Sequence, residues 1–96
     1  MKFTYPAVFH KTEQGTYEGY FPDLACCYAK GDTLDEALED AIHSAYDWIS
    51  LELTEEEPDF PPVSDVADLG KSEGEIARNI AVNIRLFEAV SYTHLT

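Results

Sequence analysis

Residues 31–53 read GDTLDEALEDAIHSAYDWISLEL, and this stretch decides the fold. Its apolar residues recur at intervals of three and four, the spacing that places side chains on one stripe of an α-helix. Thr33 and Glu36 match a capping box, in which each side chain accepts a backbone N–H of the first turn. The apolar stripe comprises Leu34, Ala37, Leu38, Ala41, Ile42, Ala45, Trp48, Ile49 and Leu53. The pattern predicts a helix over 33–53 that covers one face of a sheet.

The region before this helix predicts a meander of three strands. Apolar and polar residues alternate over 2–10, and a polar loop at 11–15 leads into a second strand at 16–21. A third strand is predicted at 24–30. Pro6 has no N–H for the ladder, which favours an edge strand or a position whose N–H points away from a partner.

The clearest alternation of the chain lies after the helix, over 75–87, and predicts a fourth strand. A proline-rich and acidic connection at 55–74 precedes it, with room for one helical turn at 64–69. A connection through a helix most naturally returns the chain parallel to the strand that it left, by a right-handed crossover. The sequence therefore predicts an α+β fold of order βββαβ, with one helix on one face of a sheet ordered 3-2-1-4.

The charge is strongly acidic, with a formal net value of −13 over 96 residues. Lys71 is the only Lys or Arg between Asp32 and Glu75, a stretch that holds fifteen Asp and Glu. Such a surface repels phosphates, so we expect no direct binding of nucleic acid by this chain. Two interpretations stay open: a solvated face that keeps the protein soluble, or a mimic of nucleic acid that docks a basic partner. No apolar run is long enough to span a bilayer and no secretory signal is visible, so we expect a cytoplasmic protein with no membrane partner.

Catalytic and metal-binding patterns are weak. His10, His43 and His94 are isolated in the sequence, and Cys26 and Cys27 are adjacent rather than spaced as zinc ligands. Neighbours on a strand point to opposite faces, which predicts two reduced thiols. With no glycine-rich phosphate loop either, we expect no catalytic residue, no metal site and no cofactor.

Four motifs, taken in order, resemble one known family. They are Tyr5-Pro6-Ala7-Val8-Phe9, then Gly15 with Tyr17, then Phe21-Pro22-Asp23-Leu24 with Cys27, then Gly31-Asp32-Thr33-Leu34 with Glu36-Ala37. Together they resemble the N-terminal domain of HicB-type antitoxins, strongly over 2–53 and more loosely over 75–87. The resemblance implies that Phe21, Pro22, Asp23 and Leu24 form the corner between two strands. It also implies that Gly31, Asp32 and Thr33 turn the chain into the helix.

The resemblance further implies a partial RNase H-like fold and a partner. That partner is a HicA-like toxin, a small basic protein of the double-stranded-RNA-binding type that cleaves mRNA with a histidine. The antitoxin covers the toxin's active site and is not itself an enzyme. Full-length relatives commonly carry a C-terminal DNA-binding domain, and this chain departs from that pattern. We also expect a homo-oligomer, because the edges at Pro6 or the last strand could pair with another copy.

The acidic helix and the loop after it are expected to attract the toxin over a distance. The residues expected to contact it are Tyr20, Asp23, Glu36, Asp40 and Asp47. One alternative function is a metal-dependent nuclease that uses Asp23 or Glu18 on an RNase H-like sheet, and another is a stand-alone oligomerising adaptor.

The C-terminal residues do not continue the pattern of the last strand. Residues 90–96 resemble a translated sequencing adapter. We therefore expect a HicB-like domain over 1–89 and a non-native tail over 90–96.

Overall fold

The structure is a computed structural model and describes residues 2–84. The elements are β1 (Lys2–Lys11), β2 (Tyr17–Tyr20), β3 (Tyr28–Gly31), α1 (Leu34–Leu53), a 3-10 turn (Val66–Asp68) and β4 (Glu75–Asn83). The four strands form one sheet in the order β3-β2-β1-β4. The predicted α+β class, the βββαβ order and the strand order are confirmed.

The start of α1 follows the predicted capping box. Thr33 is the N-cap, and its hydroxyl accepts the N–H of Glu36 at 3.1 Å. One oxygen of the Glu36 carboxylate accepts the N–H groups of Thr33 at 3.2 Å and Asp32 at 3.0 Å. Gly31 then allows β3 to run directly beneath this first turn, because a Cβ at Gly31 would lie 2.4 Å from the backbone nitrogen of Ala37.

The core lies between α1 and one face of the sheet. The helix buries three alanines and one isoleucine at four-residue intervals: Ala37, Ala41, Ala45 and Ile49. From the sheet the core receives Tyr5, Ala7, Phe9, Ala29, Ile80 and Val82, with Phe21, Leu24 and Cys27 from the corner and Ile84 after β4. Because three helix positions are alanine, the helix backbone approaches the sheet closely.

Ile42 departs from the predicted apolar stripe. Its side chain is 43% exposed, whereas Ala41 beside it is fully buried. Successive residues are about 100° apart around a helix of 3.6 residues per turn, so Ile42 lies at the margin of the buried stripe.

The direction of β4 shows that the predicted parallel return after the helix is wrong. The strand pairs antiparallel with β1, from Glu75 opposite His10 to Asn83 opposite Lys2. It therefore does not return parallel to β3. The physical reason is the length of the connection: the segment 54–74 follows the helix and carries the chain to the other end of the sheet before β4 begins.

Pro6 does not lie on an edge strand, because β1 is flanked by β2 and β4. The pairing with β2 begins only at Val8, whereas Pro6 is paired with Asn79 of β4. Within residues 2–84, then, no strand lies beside Pro6 on the β2 side. The proline is accommodated by the shortness of β2 rather than by an edge position.

The third strand begins later than predicted. Leu24 to Cys27 form turns rather than strand, and β3 starts at Tyr28. Cys26 has a φ of 57°, in the left-handed region, which is incompatible with an extended strand. The turn places Cys26 at the surface and Cys27 in the core, and both are free thiols.

Some predictions lie outside the described residues. These are the end of the fourth strand at 85–87, the domain boundary at 89 and the tail at 90–96, together with His94.

Candidate functional site

An acidic groove lies between the first half of α1 and the strands β2 and β3, with a volume of about 570 Å³. Its lining combines carboxylates with only two basic groups. The carboxylates are those of Glu18, Asp32, Glu36, Glu39 and Asp40, and the basic residues are Lys30 and His43. With five carboxylates against one lysine and one histidine, the groove favours a positively charged ligand.

Glu36 and Asp40 have structural hydrogen bonds as well as charge. Glu36 caps the helix through one oxygen, Oε2. Asp40 Oδ2 accepts the backbone N–H of Lys30 at 2.9 Å, which satisfies a donor on the open side of β3. In the part of the chain that the structure describes, no hydrogen bond is recorded to the second oxygen of either carboxylate. Both therefore retain an acceptor for a partner.

Asp47 lies on the same side of α1 as Glu36 and Asp40, beyond the end of the groove. Positions 36, 40 and 47 fall within one narrow stripe of a helix, and Asp47 lies about 10 Å beyond Asp40 along the axis at a rise of 1.5 Å per residue. Asp47 lines a separate cleft with Cys26 and Trp48. Three of the five predicted contact residues thus follow one line along the helix.

Tyr20 and Asp23 lie away from that line. Tyr20 ends β2, is paired with Val8 and is 40% exposed. Asp23 is partly buried in the corner after β2, where both carboxylate oxygens accept hydrogen bonds from Ser64. Burial, and secondarily the Asp23 charge, raise the pKa of Tyr5 above its usual value of 10.0. Asp23 is therefore engaged inside the fold, and Tyr20 is accessible.

The sequence did not identify as contacts five of the charged or basic residues of the groove: Glu18, Lys30, Asp32, Glu39 and His43. The register of β2 and β3 could have identified the lysine, because Lys30 lies directly opposite Glu18. Glu39 lies three positions after Glu36 and His43 three positions after Asp40, so the helical spacing was the available signal.

No metal site was found among residues 2–84, where no three His, Cys, Asp or Glu side chains are grouped to hold an ion. Glu18 lines the acidic groove, whereas Asp23 is tied to Ser64, so the two residues of the nuclease alternative have separate environments. Burial, and secondarily the charge of Asp47, raise the pKa of Cys27 to about 11. A raised pKa keeps this thiol protonated at neutral pH, the opposite of what a nucleophilic cysteine needs.

Within 2–84, no helix combines the length and the apolar character needed to cross a bilayer.

Comparison with known proteins gave one family and several solved structures. A family model described as HicB-like antitoxin of bacterial toxin–antitoxin systems matches residues 5–91. No curated protein matches the chain. The N-terminal domain of the Burkholderia pseudomallei antitoxin HicB is similar at 22% identity and a TM-score of 0.69, over 85% of this chain and 100% of that chain.

Two structures of complexes also contain a similar chain. One is a HicA3 and HicB3 toxin–antitoxin complex, at 28% identity and a TM-score of 0.62, over 86% of this chain and 99% of that chain. The other is a toxin–antitoxin complex from Streptococcus pneumoniae, at 23% identity and a TM-score of 0.63, over 86% of this chain and 70% of that chain. The structural likenesses agree on the fold, and the family model covers most of the sequence. The chain belongs to the HicB-like antitoxin family of bacterial toxin–antitoxin systems.

Proposed function

We propose that this chain is an antitoxin without catalytic activity, which binds a HicA-like mRNA interferase and covers its active and RNA-binding surface. The observation that carries the proposal is the family match over residues 5–91. The acidic character supports it, since a protein that binds RNA draws on Lys and Arg to neutralise phosphates and thus offers a basic surface. A net charge of −13 complements such a surface. An mRNA-cleaving partner would place the pair in the cytoplasm.

The contact residues that we propose are Tyr20, Glu36, Asp40 and Asp47, and we give the fifth predicted residue, Asp23, an indirect role. Glu36 and Asp40 line the acidic groove, so we assign to them the first contact with basic side chains. Asp47 extends this line along α1. Tyr20 offers an exposed aromatic ring, a residue type enriched at interface centres. Asp23 would act indirectly, because its hydrogen bonds to Ser64 hold the corner that follows Tyr20.

The experiment that tests this function is capture of the partner from the native host, with the full chain as bait. We expect a small basic protein whose RNA cleavage stops when the chain is added. We also expect association to slow as salt increases, because exposed charges are screened over about 10 Å at 0.1 M ionic strength. Capture of no RNA-cleaving protein would contradict the antitoxin role, and divalent-metal-dependent cleavage by the chain alone would instead favour the nuclease.

Two substitutions remove negative charge from the groove and keep the hydrogen bonds that stabilise the fold. Glu36→Gln retains the capping box, because glutamine also accepts the N-cap N–H. Asp40→Asn retains an oxygen that accepts the N–H of Lys30. The double variant should therefore fold normally and associate with the captured toxin about tenfold more slowly, within the range over which charge alters association rates.

The matched control changes the net charge by the same two units outside the groove, the helix and the loop after it, by Glu13→Lys. Glu13 is exposed in the loop between β1 and β2. If this control slowed association as much as the groove pair, net charge alone would explain the effect and the groove would not be the contact site.

We also propose that the chain forms homo-oligomers through the outer side of β4. Of the described strands, β3 has its open side partly covered by Asp40, whereas no strand among residues 2–84 pairs with the outer side of β4. A strand of nine residues that has no other strand of residues 2–84 on its outer side is a template for a second copy. Ala81 is exposed on this strand, and Ala81→Lys should convert dimers to monomers in sedimentation experiments. A wild-type chain that stays monomeric at all concentrations would overturn this assignment.

A further inference from the structure

A second concave surface lies at the other end of the helix from the acidic groove. The turn before β3 and the second half of α1 enclose an open cleft of about 440 Å³, whose lining is mainly apolar. Tyr28 and Leu51 are among its lining residues and are 66% and 68% exposed. Large apolar side chains with this exposure on both sides of a cleft mark an interaction surface.

The indole of Trp48 forms a fixed wall of this cleft. Its Nε1–H donates a hydrogen bond to the carbonyl of Ala25 at 3.0 Å, which ties the ring to the turn. Trp48 and Tyr28 both line the cleft, so it offers two aromatic rings to a ligand. Aromatic faces attract cations, and tryptophan does so most strongly.

Asp47 is the carboxylate of the cleft. No hydrogen bond or ion pair to its side chain is recorded among residues 2–84. A neutral apolar ligand would remove water from this charge without compensating it, which is costly. The combination of aromatic rings, an aliphatic side chain and one unpaired carboxylate instead matches arginine. Its methylenes can pack on apolar groups, its planar guanidinium can stack on a ring, and its paired N–H donors can bind a carboxylate through two hydrogen bonds.

We propose that this cleft binds one arginine side chain of the toxin, with the guanidinium between Asp47 and the Trp48 ring. The proposal rests on the antitoxin function proposed above. Because Asp47 follows Asp40 on the same side of α1, the acidic groove and this cleft would form one continuous contact line. The groove would supply attraction to several basic groups, and the cleft would recognise one of them.

The test uses the full chain and a probe with a single arginine, the peptide acetyl-Gly-Arg-Gly-amide. Trp48 is the only tryptophan of the sequence, so its indole N–H gives a unique signal in a proton–nitrogen NMR spectrum. We expect this signal to shift as the arginine peptide is added, less with the lysine peptide, and not with the citrulline peptide, which keeps the shape of arginine but has no charge.

The matched variants are Asp47→Asn, which removes the charge in the cleft, and Glu13→Gln, which removes a charge in the loop between β1 and β2. We expect the first to weaken the response to the arginine peptide about tenfold, in line with loss of a charged hydrogen-bonded pair, and the second to leave it unchanged. An equal response to citrulline, or an unchanged response in Asp47→Asn, would overturn the proposal.

A second measurement distinguishes the failure of this proposal from failure of the antitoxin function. The toxin captured from the host is bound to wild-type chain, to Asp47→Asn and to Glu13→Gln. Faster dissociation of Asp47→Asn by about tenfold supports the cleft. If the toxin binds and all three chains release it equally, the antitoxin function stands and the arginine cleft does not.

Discussion

Both carboxylate oxygens of Asp23 accept hydrogen bonds from Ser64, at 2.6 Å from the hydroxyl and 2.8 Å from the backbone N–H. The two residues are 41 positions apart, so their pair fastens the connection between α1 and β4 to the corner after β2. A second tie lies close by, where the hydroxyl of Tyr5 donates to the carbonyl of Pro61 at 2.7 Å. These bonds hold the connection against the sheet while it reaches the far end, from which β4 enters.

Replacing Asp23 should weaken the fold before it affects any partner. We expect Asp23→Ala to lower the free energy of unfolding by about 2–3 kcal/mol, since hydrogen bonds to a charged group contribute about 1.5–3 kcal/mol each and the site is only partly buried. Urea denaturation measures the loss. Asp59→Ala in the same connection is the control, because its carboxylate is exposed and has no recorded hydrogen bond within residues 2–84. Equal losses in the two variants would show that the Asp23–Ser64 pair does not stabilise the connection.

Glu36 caps the helix and also contributes charge to the acidic groove, and substitutions in the capping box distinguish these two roles. Thr33→Ala should lower the free energy of unfolding by about 1 kcal/mol, the usual value for a lost N-cap side chain. Glu36→Ala should also destabilise the chain, because two backbone N–H groups lose their acceptor. Glu36→Gln should leave stability nearly unchanged and still weaken toxin binding. Circular dichroism during thermal unfolding gives the first comparison, and a Glu36→Gln chain as unstable as Glu36→Ala would contradict the separation.

The local parts of the fold could be predicted from the sequence because their determinants are close in the chain. Thr33 and Glu36 are three residues apart, and the predicted capping box forms as expected. The alternation of β4 likewise reflects which side chains face the core, and Ile80 and Val82 are buried as the pattern requires. Glu36, Asp40 and Asp47 lie along one side of α1 because helix geometry alone sets their spacing.

The features that the sequence did not predict correctly depend on contacts between distant parts of the chain. The antiparallel direction of β4 is set by the path of the connection, which is held by bonds such as Asp23 to Ser64 that no local pattern reveals. The apolar residues of 24–30 predict a strand that includes Cys26 and Cys27, and this prediction is wrong because the chain turns there. The cleft near Trp48 was also not visible from the sequence, since it forms only when that turn meets the second half of α1.

Gly31, which packs beneath the first turn of α1, and Gly15, which lies in the loop between β1 and β2, should respond differently to replacement by alanine. Gly31→Ala should be strongly destabilising, by about 1–3 kcal/mol or more, because the new Cβ would meet the backbone of Ala37 and Glu36 at 2.4–2.7 Å. Gly15→Ala has open space around the new Cβ and a φ of 85°, so it introduces backbone strain alone. We expect it to cost about 1 kcal/mol, as for other side chains forced into the left-handed region. Urea denaturation of both variants tests the ranking, which fails if Gly15→Ala proves the more harmful.

The two adjacent cysteines should differ sharply in reactivity. Cys26 is exposed, whereas Cys27 is buried and its pKa is raised from 9.0 to about 11, first by burial and then by the charge of Asp47. Iodoacetamide at pH 8 should therefore label one thiol of the folded chain quickly and the second only in denaturant, as counted by mass spectrometry. Rapid labelling of both thiols in the folded chain would contradict the burial of Cys27.

The same shift predicts the direction in which stability changes with pH. Between about pH 9 and 11 the unfolded chain loses the Cys27 proton while the folded chain keeps it, so the folded state holds more protons in this range. The contribution of this thiol to stability is thus complete below pH 9 and is lost as pH rises through 11. The pKa of Tyr5 is also raised, so its titration likewise lowers the stability of the folded state as the pH rises. The difference in unfolding free energy between wild type and Cys27→Ala isolates the contribution of the cysteine. We expect this difference to shrink above pH 9. A constant difference up to pH 11 would show that the thiol has the same pKa in the folded and unfolded states.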